Sequence, residues 1–375
     1  MNNTSKEYFP ALTGLRAVAA LMVFIHHVNP FSADCFGLVM SHLAAELHIG
    51  VTVFFVLSGF LIGYRYLGGR PVSLRTYFAN RFARIYPMYF LLTTLTFITF
   101  YYKNGAYNSV LLTQYLLNIT FLRGFFNEYL FTGIQQGWSL TVEELFYVSA
   151  PLIFWLVRRS RQWLWLFPLL LAGVGVGLVL GQPQPWHGFF GSFNFLFQFT
   201  YLGRAFEFCT GIALAWRLRH TGAVVAPRFI TYAGLAGILL CLWGITLLHG
   251  PGINDFGVRR PFGLFLNNVV LPLLGIVPLL WGLVGEATWV RRLLSSRPLL
   301  LLGKSSYVFY LIHMGVLQHL LHRQLLGNVG LVLLYPIAIL LYWLVEEPLN
   351  HWLRRLLASK NSRYSPADEK PAFAG

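Results

Sequence analysis

The chain has 375 residues, of which 56% are apolar, 17% aromatic and only 11% charged, with a mean hydropathy of +0.60. A soluble domain of this length does not normally carry that balance, so the soluble classes are excluded and an all-α, polytopic membrane protein is expected. The net charge of +15 would suggest a nucleic-acid partner in a soluble protein, but here the basic residues cluster between apolar runs and report membrane orientation instead.

Runs long enough to span a bilayer fall at about 10–29, 48–67, 86–102, 139–157, 163–180, 195–216, 229–248, 265–285, 299–320 and 329–346, ten in all. With the N-terminus inside, the inner loops collect Arg65, Arg70, Arg75, Arg81 and Arg84, then Arg158, Arg159 and Arg161. Further along they collect Arg217, Arg219 and Arg228, then Arg291, Arg292 and Arg297, and finally a basic tail. This positive-inside bias predicts that both termini are cytoplasmic. No small-residue cleavage site follows the first apolar run, so that run is expected to stay in the protein.

The first span, TGLRAVAALMVFIHH, contains Arg16 and His27. Eleven helical steps are about 1100°, so the two share a face and stand roughly 16 Å apart along the axis. Ionisable groups inside a membrane cost at least a few kcal/mol each, which favours a functional reading of the pair. His26 lies about 100° off that face. The second span, GVTVFFVLSGFLIG, carries Gly50, Ser58, Gly59 and Gly63, small residues that let helices approach closely; a covalent role for Ser58 would need a base that the neighbouring sequence does not supply.

Before the third span, ANRFARIYP puts Arg81 and Arg84 one turn apart at the inner surface, and with Arg16 they predict a cationic site suited to phosphate. Residues 103–138 form a longer outer segment. Its apolar piece VLLTQYLLNITFL, about 13 residues, is too short to span and predicts a re-entrant or interfacial helix. Glu143 and Glu144 open the fourth span in WSLTVEELFY, which predicts an outer depth like that of His27, with one of the two capping the helix start.

Arg204 and Glu207, at i and i+3 in the sixth span, read as a buried ion pair holding helices in register. The outer segments PQPWHGFFGSFNF and HGPGINDFGVRRPF are rich in Pro, Gly and aromatics, and suit either substrate-contacting loops or an interfacial belt. His313 is expected to rise to the outer half of the ninth span, as a third proton carrier or as a packed core histidine. Glu346 and Glu347 end the tenth span inside, within reach of the arginines. The transmembrane unit is expected to cover 1–355 and a disordered tail 356–375. Cys35, Cys209 and Cys241 show no ligand spacing, so neither a metal nor a disulfide framework is expected.

An inner anion site and an outer imidazole on one helix suit a ligand with phosphates inside and a long thin arm of roughly 15–20 Å pointing outward, the shape of acyl-coenzyme A. The blocks FPALTGLRAVAALMVFIHH, GVTVFFVLSGFLI, RFARIYP, WSLTVEELFY, RAFEFCTGIALA, SSYVFYLIH and VEEP, in that order over residues 8–355, resemble the membrane-bound acyltransferase-3 family of largely bacterial O-acyltransferases. The resemblance implies transfer of an acyl group, most often acetyl, from cytosolic acyl-CoA to a hydroxyl of a glycan or lipid-linked glycan across the bacterial inner membrane. It further implies His27 as the catalytic histidine, Arg16 as its motif partner, Arg81 and Arg84 near the coenzyme, and Glu143 at the acceptor side. Some members carry a fused SGNH-type esterase domain, and this chain looks like a stand-alone form. His27 is expected to act as general base, with an acyl-histidine route left open.

A proton-coupled transporter of an anionic sugar or lipid is the second reading. It predicts an internal repeat and discontinuous helices, and the sequence shows no sign of either. A purely structural membrane protein is the third, and an acyltransferase acting on a macrolide-like small molecule would share the same core. Membrane lipid surrounds the spans in every case, and the acceptor and the oligomeric state are not legible in the sequence.

Overall fold

The computed structural model describes residues 8–31, 36–67, 73–104, 109–221, 226–252 and 255–357, less the side chains of 103–104 and 323–325. Among them helix follows helix, and the one pairing of extended backbone is an antiparallel bridge between Phe126 and Phe189. The protein is an all-α, multi-pass membrane protein. Seven helical stretches of the described residues are long and apolar enough to cross a bilayer: Pro10–Val28, Leu38–Tyr66, Gln135–Arg159, Trp163–Leu180, Ile230–Leu247, Pro261–Gly285 and Asn328–Leu357.

In chain order, α1 is Pro10–Val28, with Pro10 in its first turn, and α2 is Leu38–Ala45, which runs through a tight turn into α3, Gly50–Tyr66. Next come α4, Leu74–Asn104, and the short α5, Ser109–Ile119, an apolar helix of 11 residues within the segment 103–138. Because α4 already begins at Leu74, Arg81 and Arg84 sit on the helix itself. After a stretch of turns come α6, Trp138–Arg159; α7, Trp163–Leu180; α8, Phe193–Phe199; and α9, Tyr201–Thr221. α10, Ile230–Leu247, leads to α11, Pro261–Phe265, a wide π-turn over Leu266–Ile276, and α12, Val277–Gly285. The last third comprises α13, Trp289–Leu294; α14, Arg297–Lys304; α15, Ser306–Ile312; α16, Val316–His319; α17, Asn328–Leu341; and α18, Glu347–Leu357.

Two expected spans are continuous but partly wound as π-helix, and two are interrupted, one of them 195–216, at Thr200 between α8 and α9. The span 265–285 holds the π-turn with Pro272 inside it, where a missing N–H weakens the regular ladder. The span 329–346 ends in a π-turn, Tyr342–Glu346. The span 299–320 is broken at 313–315, where Gly315 has φ of 94°, a conformation that only glycine adopts at little cost. The expectation that no helix is discontinuous is therefore corrected.

The core is built around α3, which packs most extensively against α9. Their contact depends on two glycines, since a Cβ at Gly59 would land on the Phe208 carbonyl and one at Gly211 on the Val56 carbonyl. Gly50 and Gly63 likewise face neighbouring helices. Gly59→Leu is expected to destabilise by at least about 1–3 kcal/mol, the usual cost of overpacking, read as a lower melting temperature and loss of the monodisperse peak in detergent.

A polar post crosses the same contact. Arg204 donates from Nε and Nη2 to the two Glu207 oxygens at 2.7 Å each, from Nη1 to the Gln198 carbonyl at 2.8 Å, and from Nη2 to Thr52 Oγ1 at 3.0 Å. Thr52 in turn donates to Asn267, Asn267 to Asn268, and Asn268 to the Phe197 carbonyl. The π-turn thus places both asparagines on the post, and the register-holding role expected of Arg204 and Glu207 fits this geometry. Arg204→Met is expected to cost about 3–5 kcal/mol, because it strands a buried carboxylate, and Arg204→Met with Glu207→Leu should recover part of the loss. Thermal melts of the two variants check this.

Candidate functional site

The site lies between α1, α3, α4, α6 and the broken helix α14–α16. At one end His27 is exposed, and its Nδ1 lies 2.9 Å from Nε2 of His313, the two rings meeting edge to edge with centroids 5.1 Å apart and planes 29° apart. His313 is fully buried at the end of α15, where its Nδ1 donates to the Tyr310 carbonyl at 2.8 Å. The expected convergence of His27 and His313 is found.

Glu143 is placed differently. The stretch preceding α6 is drawn inward: Gln136 donates to the Tyr310 and Leu311 carbonyls at 2.9 and 2.8 Å, and Ser139 bonds the Tyr310 hydroxyl at 2.7 Å. The helix therefore starts at the depth of Tyr310, and Glu143 lies more than a turn further in. Its carboxylate accepts from Ser58 and Tyr147, 3.2 Å each, and the charges facing it are those of Arg16 and Arg84. The expectation that Glu143 shares His27's depth is thus corrected, because the entry to α6 is buried. Neither acid caps the helix either, since α6 begins at Trp138 with Gly137 before it and no side-chain cap. Ser58 serves Glu143 as a hydrogen-bond donor.

At the opposite end, Arg16, Arg81 and Arg84 converge, with Glu346 facing Arg84 and Arg16 from the π-turn before α18. All three arginines are half-buried, and among the described residues none of the three has an ion-pair or hydrogen-bond partner. Nε of Arg16 and of Arg81 is buried without a partner, while Arg16 lies over the Phe54 ring and Arg81 over the Tyr147 ring. Glu143 and Glu346 face these cations without pairing directly with any of them, and half-buried guanidinium donors left without a hydrogen-bond partner suit an incoming anion. Arg65 is exposed beside the Tyr66 ring and stands apart from this cluster, and Arg70, like Cys35 and the tail, lies outside the described residues.

Between the two ends is a narrow cavity lined by Arg16, Phe54, Ser139, Glu143, Tyr307 and Tyr310, among others. Its volume of about 40 Å³ admits one or two waters.

Sequence reasoning missed three groups around this axis. Arg123 is fully buried, donates to the carbonyls of Thr132 and Ile134, and so fixes the stretch that carries Gln136. Gln136 itself pins the broken end of α15. Arg123 is the one charged residue in TFLRGFF, and that was the available signal, whereas Gln136 in QQGWS has polar neighbours and gives none. The third group is Glu46, fully buried near the His27 end, which accepts from His48 at 2.9 Å, from His249 at 2.7 Å and from the Gly257 amide at 2.6 Å. His26 turns toward this cluster: it bonds the Ala45 carbonyl and meets the His48 ring edge-on. Among the described residues no grouping of His, Cys, Asp and Glu is suited to hold a metal ion.

Residues 9–347 match the family described as "Acyltransferase domain". Acyltransferase MdmB of Streptomyces mycarofaciens is 30% identical over 343 residues, 86% of this chain and 82% of that protein. O-acetyltransferase OatA of Staphylococcus aureus is 24% identical over 92% of this chain, and peptidoglycan O-acetyltransferase OatA of Listeria monocytogenes is 26% identical over 84%. The match spans 56% and 50% of those two longer proteins. No solved structure matches. A match over nearly the whole chain makes this protein a member of the acyltransferase-3 family of membrane-bound acyltransferases.

Proposed function

We propose that this acyltransferase moves an acyl group, acetyl first, from cytosolic acyl-CoA to a hydroxyl of a cell-surface or lipid-linked glycan at the outer face of the bacterial inner membrane, with both termini cytoplasmic. The observation that carries the proposal is the convergence of Arg16, Arg81 and Arg84 with no direct ion-pair or hydrogen-bond partner among the described residues, Arg16 standing on the same helix as an exposed imidazole about 16 Å away. Guanidinium forks grip phosphates, and the arm of the coenzyme has the length to bring its thioester to His27. The O-acetyltransferase relatives support an acetyl donor and a glycan acceptor.

In this reading His27 removes the proton from the acceptor hydroxyl, whose oxygen forms a bond to the thioester carbonyl carbon as the C–S bond breaks. The departing thiolate takes the proton back from His27, so the ring is restored and free coenzyme returns inward. Glu143, bonded to Ser58 and Tyr147 and facing Arg16 and Arg84, acts on the coenzyme side as a counter-charge that positions the guanidiniums. The acyltransferase family membership favours this reading over transport, and the break in the ninth span is accounted for by its contact with His27.

The test is acetyl-CoA binding and thiol release by purified protein in detergent or nanodiscs. The expected outcome is saturable binding and a slow release of thiol that a suitable glycan accelerates. Absence of any coenzyme binding by folded wild type would sink the proposal.

A further inference from the structure

We propose that His27 acts through Nε2, and that His313 and the broken end of its helix are the groups that present this nitrogen. This rests on the acyl-transfer reading and specifies which atom does the work. The argument begins at the break. The chain leaves α15 after Ile312 and turns at Gly315, so the last carbonyls of the helix lose the amides that would have continued the ladder. Gln136 takes two of them, those of Tyr310 and Leu311. His313 Nδ1 shares the Tyr310 carbonyl at 2.8 Å, with the Phe309 carbonyl at 3.3 Å.

A carbonyl oxygen only accepts, so Nδ1 of His313 carries a hydrogen. His313 is fully buried, and no described carboxylate ion-pairs with it, which favours the neutral ring. Its Nε2 is then a bare acceptor. The contact of 2.9 Å to His27 Nδ1 requires that His27 be the donor, with its own hydrogen on Nδ1. Nε2 of His27 is left with a free lone pair on an exposed ring. The logic is that of a carboxylate-oriented catalytic histidine, with a neutral imidazole in the carboxylate's place. A neutral partner orients the base without adding a negative charge that would hold the proton, which suits a base that must return the proton to a thiolate. His313 and Gln136 are positioning residues.

The experiment uses the full chain in nanodiscs with 15N-labelled histidine, assigning His27 by the signal lost in His27→Ala. The expected spectrum shows His27 with a protonated Nδ1 and an unprotonated Nε2. His313→Leu is expected to lose that preference and at least about 100-fold in kcat, with the KM for acetyl-CoA unchanged. His313→Gln, whose amide oxygen accepts the same hydrogen bond, should keep the tautomer and recover most of the rate. A wild-type spectrum with the hydrogen on Nε2, or a His313→Leu protein with wild-type kcat, overturns the proposal. If His313→Leu does not fold, the wild-type and His313→Gln spectra decide the matter. The tautomer is read without substrate, so a protein that fails to bind acetyl-CoA defeats the acyl-CoA reading and leaves this measurement intact.

Discussion

His27→Ala is expected to lower acyl transfer by about 10²–10⁴-fold, the usual contribution of a positioned general base, while acetyl-CoA affinity stays unchanged. The two effects separate because the proposed anion site is at the other end of α1. Truncating an exposed imidazole at the far end of α1 removes no group proposed to meet a phosphate, whereas it removes the ring that bonds His313. His26→Ala is the informative control. Its ring bonds the Ala45 carbonyl and faces His48, so it should retain far more of the rate than His27→Ala. Steady-state kinetics with a soluble glycan acceptor, beside calorimetric binding of acetyl-CoA, read both quantities. Equal rates for wild type and His27→Ala would remove His27 from the chemistry. Acid quenching with labelled acetyl-CoA separates the two routes open to this residue: direct transfer leaves the protein unlabelled, and an acyl-histidine leaves label that disappears in His27→Ala.

The parts of this site legible in the sequence were those set by helical periodicity. Arg16 and His27 share a face because eleven residues make three turns, and Arg81 and Arg84 share one because three residues make almost one. Likewise Arg204 and Glu207 at i and i+3 meet directly. Depth was legible only where a span begins at the membrane surface. It failed for Glu143, since the start of α6 is held inside by Gln136 and Ser139, and those bonds reach a helix about 170 residues away. The break after Ile312 was hidden for a related reason. SSYVFYLIHMGVL carries no charged residue and no proline, and one glycine inside it reads as packing until the backbone shows φ of 94°. The cluster on Glu46 draws on the turn between α2 and α3 and on the loop after α10, so no local spacing announces it. Hydropathy located the spans, but it carried no information on which carbonyls would be left open for side chains.

Arg84→Ala is expected to weaken acetyl-CoA binding about 10–100-fold, since a hydrogen bond between charged groups contributes roughly 1.5–3 kcal/mol and each 1.4 kcal/mol is tenfold. Arg81→Ala should act in the same direction and Arg84→Lys should recover only part, because an ammonium cannot make the two-pronged contact of a guanidinium. What makes the test specific is the ligand comparison. Acetyl-pantetheine carries the thioester and arm but no phosphate, so its binding should be weak in wild type and indifferent to Arg84→Ala. Added salt should weaken acetyl-CoA binding less than at an open surface, since the three arginines are half-buried. Glu346 supplies the opposite sign. It faces Arg84 and Arg16, with one carboxylate oxygen buried and without a partner, so it competes with the incoming phosphates for the same cations. Glu346→Gln is therefore expected to tighten acetyl-CoA binding in the wild-type background and to do nothing once Arg84 is alanine. Tighter binding in both backgrounds would mean that Glu346 acts through a cation other than Arg84. Unchanged affinity in Arg84→Ala alone would move the phosphates away from this cluster altogether.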